Sequence, residues 1–181
     1  YKLFELINSS LSNPVFDLVL PLLRNAWLWI PLYIIIIYGL FKFNTKKIFA
    51  ISFLTLILSV TLADRISAGV FKPYFKRERP CYDELLKDQI VLRKDGCGGR
   101  FGFVSSHAAN HFALAVLFIH FFRKKYKWVS WASFLWAFLI SFSQVYVGVH
   151  FPGDVFFGAI LGVFCAQIAL ILNKIIIKRI E

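Results

Sequence analysis

The sequence predicts an all-α membrane protein, a polytopic helical bundle with about five transmembrane helices and short interfacial helices at its N-terminus. Three observations predict this. Of the 181 residues, 59% are apolar and 18% aromatic, with a mean hydropathy of +0.67, whereas a soluble domain has about half its residues apolar. Several apolar runs approach the roughly 20 residues that a helix needs to cross a bilayer. The Lys and Arg residues fall mostly between those runs, where they set membrane orientation.

Residues 1–25 alternate apolar and polar stretches, broken by Ser9, Ser10 and two prolines. Each apolar piece is too short to span, so short interfacial helices are expected. Span one runs from about Ala26 to Phe43, opening with Trp27 and Trp29 as an interfacial belt. Span two begins near Ile48 and reaches toward Val70, with Asp64 and Arg65 interrupting its last turns. Residues 71–104 form the one long polar loop. Span three runs from about Ser106 to Phe122, span four from Trp128 to Val147, and span five from Val155 to Leu172. Residues 26–172 thus read as a catalytic bundle and 173–181 as a basic cytoplasmic tail of a single domain. The sequence begins at Tyr1 and contains no Met, so a trimmed N-terminus is expected.

Charge orients the bundle. Lys42, Lys46 and Lys47, the run Arg123 to Lys127, and Lys174, Lys178 and Arg179 all fall on one side of a five-span protein. That side is expected to be cytoplasmic. The long loop is also basic, but the short loops carry more weight because many of its cations have a chemical use. The net charge of +11 would suggest nucleic acid in a soluble chain. Here it suits anionic head groups, and membrane lipids rather than nucleic acid are the expected partners. Cys81 and Cys97 share the long loop, and a disulfide between them fits an outer, oxidising compartment.

Three polar clusters fall at the outer ends of the spans: Lys72 to Pro80 (KPYFKRERP), Phe103 to Asn110 (FVSSHAAN) and Ser143 to Asp154 (SQVYVGVHFPGD). They hold the parts that phosphoryl transfer needs. Lys72, Arg79 and N–H groups at a helix start are donors for non-bridging oxygens. A neutral imidazole serves as nucleophile and a second histidine as general acid. Asp154, four residues after His150, is placed to hold one ring nitrogen so that the other attacks.

These clusters resemble the three signature motifs of the type 2 phosphatidic acid phosphatase family, which is similar in its site to vanadium haloperoxidases. The first motif, K-x6-R-P, is matched by Lys72, Arg79 and Pro80. The second, P-S-G-H, corresponds to Val104, Ser105, Ser106 and His107. The third, S-R-x5-H-x3-D, corresponds to Ser143, Gln144, His150 and Asp154. The resemblance implies a membrane lipid phosphatase that needs no metal or other cofactor. In it His150 forms a phosphohistidine, Asp154 orients it and His107 protonates the leaving group. Lys72, Arg79, Ser105 and the backbone of Ser106 hold the phosphate. Implied substrates are undecaprenyl pyrophosphate, lipid A, phosphatidylglycerol phosphate or phosphatidic acid, the first two favoured in a Gram-negative cell.

The departures from the motifs carry expectations of their own. Gln144 stands where the family has a phosphate-binding arginine; it can donate a hydrogen bond but brings no charge. Arg77, Lys76 and Arg65 are the nearby cations expected to compensate. His107 and His111 share a helical face but lack a metalloprotease glutamate, so His111 reads as a packing or supporting residue. Asp64 and Arg65 should face protein, water or head groups, and a structural ion-pair role is expected of them at least as much as a catalytic one. Gly148, Gly153 and Gly158 read either as close helix contacts or as turn breakers. Two rival functions are a haloperoxidase-like use of the site, which the spans disfavour, and a lipid-phosphate binding or transport protein. The second has no need of the relay formed by His107, His150 and Asp154.

Overall fold

The computed structural model describes residues 1–86 and 89–180. Glu181, the last residue of the expected tail, and two residues of the long loop lie outside them. Among the described residues eight α-helices run in the order α1 (Lys2–Glu5), α2 (Pro14–Leu23), α3 (Ile30–Phe43), α4 (Lys46–Ile66), α5 (Lys72–Phe75), α6 (Ser106–Phe122), α7 (Val129–Tyr146) and α8 (Pro152–Ile180). A π-helical turn, Leu6–Ser10, extends α1, and a 3-10 turn, Ala26–Trp29, leads into α3. A second π-turn, Ser67–Phe71, joins α4 to α5.

Among the described residues four helical stretches are long and apolar enough to cross a membrane: Ala26–Phe43, Lys46–Phe75, Val129–Tyr146 and Pro152–Ile180. The fifth expected span, α6, has 17 residues and a length of about 26 Å at 1.5 Å per residue. It is also the central helix, packed against α8, α7 and α4.

The bundle is built inside out relative to a soluble protein. Ile35, Leu54, Phe138 and Phe164 are exposed, as lipid-facing side chains are, while α6 and α8 meet through small residues. Ala108, Ala109 and Ala113 of α6 are fully buried. A Cβ on Gly158 would sit 2.6 Å from the Ser105 carbonyl oxygen, and one on Gly162 would collide with the Ala109 backbone. Where lipid tails are as apolar as leucine, such close backbone approach supplies the packing that holds helices together. At the far end Asn173 donates to Thr55 at 2.9 Å, a buried polar tie between α8 and α4.

Three expectations change. Asp64 and Arg65 do not interrupt span two: the helix runs through them to Phe75, because Asp64 finds Asn110 of α6 at 3.4 Å while Arg65 is exposed. They are not an ion pair. The basic tail is not separate, since α8 continues to Ile180; its 29 residues span about 44 Å and outrun a hydrocarbon core of roughly 30 Å. The N-terminal helices do more than lie on a surface. They bend by 109° and bury Phe4, Asn8 and Leu20 against the end of the bundle that carries the polar clusters.

That docking is specific. The Asn8 amide donates to the carbonyls of Val91 at 2.9 Å and Tyr146 at 2.8 Å, and accepts from the Val91 N–H at 2.9 Å. Arg93 donates to the Asn8 carbonyl at 2.7 Å, to that of Tyr146 at 3.0 Å and to the Asp17 carboxylate. Tyr146 also reaches Asp17, at 2.6 Å. The N-terminal hairpin, the loop segment at Val91 and Arg93 and the end of α7 are therefore tied into one cap.

Candidate active site

All three polar clusters meet at this capped end. The first arrives on the π-turn and α5, whose last residue is followed by Lys76 in the left-handed conformation (φ 48°). This reversal turns the chain back over the bundle, where Glu78 pairs antiparallel with Phe101. The Arg79 N–H donates to the Arg100 carbonyl at 3.1 Å and the Gly102 N–H to that of Arg77 at 2.8 Å. Cys81 and Cys97 are disulfide-bonded with Cα atoms 6.1 Å apart, so the two strands of this turn are also tied covalently.

The second cluster opens α6. Ser105 is the N-cap, its hydroxyl accepting from the Ala108 N–H at 3.5 Å, and its own N–H donates to the Asp154 carbonyl at 2.9 Å. The starts of α6 and α8 are thereby fixed to one another. Ser106 contributes its hydroxyl as well as its backbone: it accepts from Lys72 Nζ at 3.0 Å and from Ser67 at 2.8 Å. The residue that replaces the motif glycine thus anchors the first-cluster lysine. His107 follows, with electrostatic reach to His150, Arg24 and Lys72. His111 does not face a metal position; its Nδ1 meets the His107 carbonyl at 2.8 Å, and its ring packs edge-on to Trp136.

The third cluster turns between α7 and α8. Gly148 at φ +86° makes that reversal, whereas Gly158 is a helix contact. Gly153 adjoins Arg77, 3.4 Å from where its Cβ would be. His150 is 2% exposed and Asp154 is fully buried. Nδ1 of His150 lies 3.5 Å from Asp154 Oδ2. The same carboxylate oxygen accepts from the Phe151 N–H at 2.9 Å, and Oδ1 accepts from Arg77 at 3.0 Å. With Nδ1 turned to Asp154, Nε2 is the nitrogen left for chemistry. Burial pushes the His150 pKa down to about 4, against the opposing pull of Asp154, so the ring is neutral at pH 7.

Two cations face this centre unspent. Arg79 donates to the Val149 carbonyl at 3.4 Å while its buried Nε has no protein partner. Burial lowers its pKa, with Asp154 opposing. Arg24, just after α2, donates through Nε to Gln144 Oε1 at 3.1 Å.

The structure therefore gathers Lys72, Arg79, Ser105, Ser106, His107, Gln144, His150 and Asp154 at one end of the bundle, but redistributes work among them. Gln144 does not present a free donor, because its Nε2 goes to the Ile140 carbonyl at 3.3 Å. Of the three cations expected to compensate, Arg77 is engaged with Asp154 and stacked on Phe151 at 4.5 Å. Lys76 and Arg65 are exposed. Sequence reasoning missed Arg24, the carboxylate-holding role of Arg77, and Gly102. A Cβ on Gly102 would lie 3.1 Å from Asp154 Oδ2, 3.2 Å from Arg79 Cγ and 3.5 Å from His150 Nδ1. The available signal for Arg24 was a lone cation ending an apolar stretch, paired with a motif short of one charge.

Membrane helices that gather imidazoles, a buried carboxylate and cations at one end have the groups that phosphoryl transfer at a membrane surface requires. The chain belongs to the PAP2 superfamily, whose sequence profile matches residues 49–176. It is 35% identical over 157 residues to a lipid A 4′-phosphatase of Bacteroides thetaiotaomicron, covering 86% of this chain and 69% of that protein. It is 32% identical over 164 residues to a lipid A 4′-phosphatase of Porphyromonas gingivalis, covering 89% and 67%. The crystal structure of Aquifex aeolicus LpxE superposes with a TM-score of 0.69 at 29% identity, covering 93% of each chain. That of the first transmembrane PAP2 type phosphatidylglycerolphosphate phosphatase from Bacillus subtilis gives 0.65 at 22% identity, covering 96% of this chain and 85% of that one. This last likeness shows the fold alone. The expected family, the helical membrane fold and the lipid phosphatase activity are all borne out.

Proposed function

We propose that this phosphatase removes a phosphate from lipid A, on the periplasmic face of the inner membrane, through a phosphohistidine on His150. The observation that carries the mechanism is the buried His150–Asp154 pair, 3.5 Å apart, with the carboxylate held by Arg77 and the Phe151 N–H. Nε2 of His150 attacks phosphorus, the bond to the sugar oxygen breaks, and His107 gives that oxygen its proton. Water then attacks the phosphohistidine, losing its proton to His107, and phosphate leaves. Lys72 and Arg79 hold the non-bridging oxygens as charge builds. The substrate is supported by two relatives named for lipid A. The face is supported by the basic residues at the opposite end of the bundle and by the Cys81–Cys97 bridge on the site side.

Acyl tails have a place as well. An apolar groove between α3, α4 and α6 is lined by Tyr33, Phe53, Leu56, Leu114 and Phe118. Tyr33 packs on Trp136, which packs on His111, which stacks parallel to His107. A line of packed aromatic rings thus connects one wall of the groove to His107.

The test is phosphate release from lipid A by the purified protein in detergent with chelator present, beside phosphatidylglycerol phosphate, phosphatidic acid and undecaprenyl pyrophosphate. Lipid A should rank first, with chelator having no effect and His150→Ala abolishing turnover. Preference for another lipid would overturn the substrate, and full activity of His150→Ala would overturn the nucleophile.

A further inference from the structure

The third motif of this chain lacks its arginine, yet the space beside Gln144 is not without a guanidinium. Arg24 reaches it from the N-terminal hairpin, 120 residues away in sequence, and donates Nε to Gln144 Oε1 at 3.1 Å. Since Arg24 Nε can only donate, that contact assigns Oε1 as the amide atom facing it. Gln144 is itself immobile: it is fully buried, its Nε2 is bonded to Ile140, and its carbonyl accepts the Val149 and His150 N–H groups at 3.2 Å. The residue whose main-chain carbonyl holds the His150 N–H thus also holds the guanidinium through its side-chain amide.

We propose that Arg24, gripped by Gln144, is a phosphate-binding residue of this phosphatase, restoring from another element the charge that the third motif has lost. Among the described residues no carboxylate pairs with it: its side-chain hydrogen bond goes to an uncharged amide, and it sits within electrostatic reach of Arg79 and His107. Cations gathered beside a buried imidazole repel one another, and a bound phosphate offsets that repulsion while presenting phosphorus to His150. Burial, then the Arg79 charge, lowers the Arg24 pKa to about 10, so it remains a cation at neutral pH. The hairpin that carries it is locked to the bundle by Asn8, Arg93 and Tyr146, which gives the guanidinium a fixed position. Swapping the donor between elements preserves the arrangement, since a guanidinium on a neighbouring helix end and one at position 144 address the same oxygens.

The inference rests on the reading of this centre as the phosphatase site, and the experiment separates the two. Wild-type turnover that is lost in His150→Ala establishes the site. The full chain is then compared with Arg24→Gln, Arg24→Lys and the double variant Arg24→Gln/Gln144→Arg. Measured are kcat/KM for lipid phosphate hydrolysis, inhibition by inorganic phosphate, and thermal unfolding in detergent. Removing one preorganised donor costs on the order of 10²-fold in rate. Arg24→Gln should therefore lose about that much in kcat/KM and bind inorganic phosphate about tenfold more weakly. Arg24→Lys should fall between it and the wild type. The double variant should recover phosphate inhibition, because the charge returns by the other route. Phosphate inhibition within twofold of wild type in Arg24→Gln would overturn the proposal. So would a variant set in which unfolding temperature falls while the inhibition constant for phosphate stays put, since that is the signature of a purely structural arginine.

Discussion

Nδ1 of His150 stands 3.5 Å from Oδ2 of Asp154, and both side chains are buried. The carboxylate is held on its other sides by Arg77 and by the Phe151 N–H, so it cannot rotate away from the ring. Its proposed role is to fix the tautomer and to receive the positive charge that grows on the imidazole as a bond to phosphorus forms. Asp154→Asn keeps the size and removes that charge. Turnover should fall by about 10³-fold with KM little changed, as expected for a contact that matters mainly in the transition state. Steady-state kinetics on the purified variant check this; a loss of less than about tenfold would remove Asp154 from the mechanism.

Burial of His150 predicts the acid limit of the reaction. Desolvation lowers the His150 pKa from 6.5 to about 4, so the proposed nucleophile stays neutral in the free enzyme until the pH falls through about 4. The acid limb of kcat/KM against pH should accordingly lie near 4 rather than near 6.5. Stability runs the same way. Between pH 6.5 and about 4 the unfolded chain takes up a proton at His150 that the folded chain refuses, so stability declines as the pH drops through that window. An unfolding series over that range should show the decline, and His150→Gln should weaken it.

A side chain at Gly102 would crowd the centre. A methyl there would press on Asp154 Oδ2 at 3.1 Å and on Arg79 Cγ at 3.2 Å, and the strand cannot retreat while Gly102 N–H is bonded to the Arg77 carbonyl. Shifts of even 1 Å in reacting groups cost up to about 10²-fold. Gly102→Ala should therefore lose at least about tenfold in kcat, with a change in unfolding temperature much smaller than the loss of activity suggests. Wild-type kcat in this variant would mean that the turn yields without disturbing the pair.

The Cys81–Cys97 bridge closes a segment with a sequence separation of 16, and loops of that size are worth about 3 kcal/mol when cross-linked. Tyr82 strengthens the same closure by donating to the Gly98 carbonyl at 3.0 Å, beside Arg79. Reduction, or Cys81→Ser with Cys97→Ser, should lower the unfolding temperature and weaken phosphate inhibition together. Cys165→Ser should leave phosphate inhibition unchanged, since Cys165 is unpaired and buried within the bundle. Unfolding followed with and without dithiothreitol distinguishes the two outcomes.

The spans and the three clusters were legible because each is written locally. Ala26–Phe43 and Ser106–Phe122 appear in the structure with the bounds that hydropathy gives them, and Lys72, His107 and His150 lie on short ordered motifs. What was not legible depends on contacts between distant segments. Asp64 looked like a helix breaker because Asn110, its partner at 3.4 Å, is 46 residues away. Arg77 and Arg24 were indistinguishable from other cations until folding put one on Asp154 and the other on Gln144. The cations adjoining the first motif are close to Gln144 in neither sequence nor hydrogen bonding, whereas Arg24 reaches it from the N-terminal hairpin at 3.1 Å. Periodicity is a property of one helix; a set of side chains gathered from distant segments is not.

Gly158 joins the packing of the bundle to the chemistry of its end. A Cβ at this position would approach the Ser105 carbonyl oxygen to 2.6 Å and Ala108 Cβ to 3.1 Å, and neither is the tip of a flexible side chain. Ser105 caps α6 and donates its N–H to the Asp154 carbonyl, so pushing α6 away strains the cap and the start of α8 together. Overpacking of this kind costs about 1–3 kcal/mol. Gly158→Ala should lower the unfolding temperature and, unlike a substitution in the lipid-facing belt such as Phe164→Leu, should also lower kcat, since Ser106 and His107 move with Ser105. If Gly158→Ala unfolded earlier but turned over at the wild-type rate, the two helix starts would be mechanically independent of the site, and the Ser105–Asp154 bond would be structural alone.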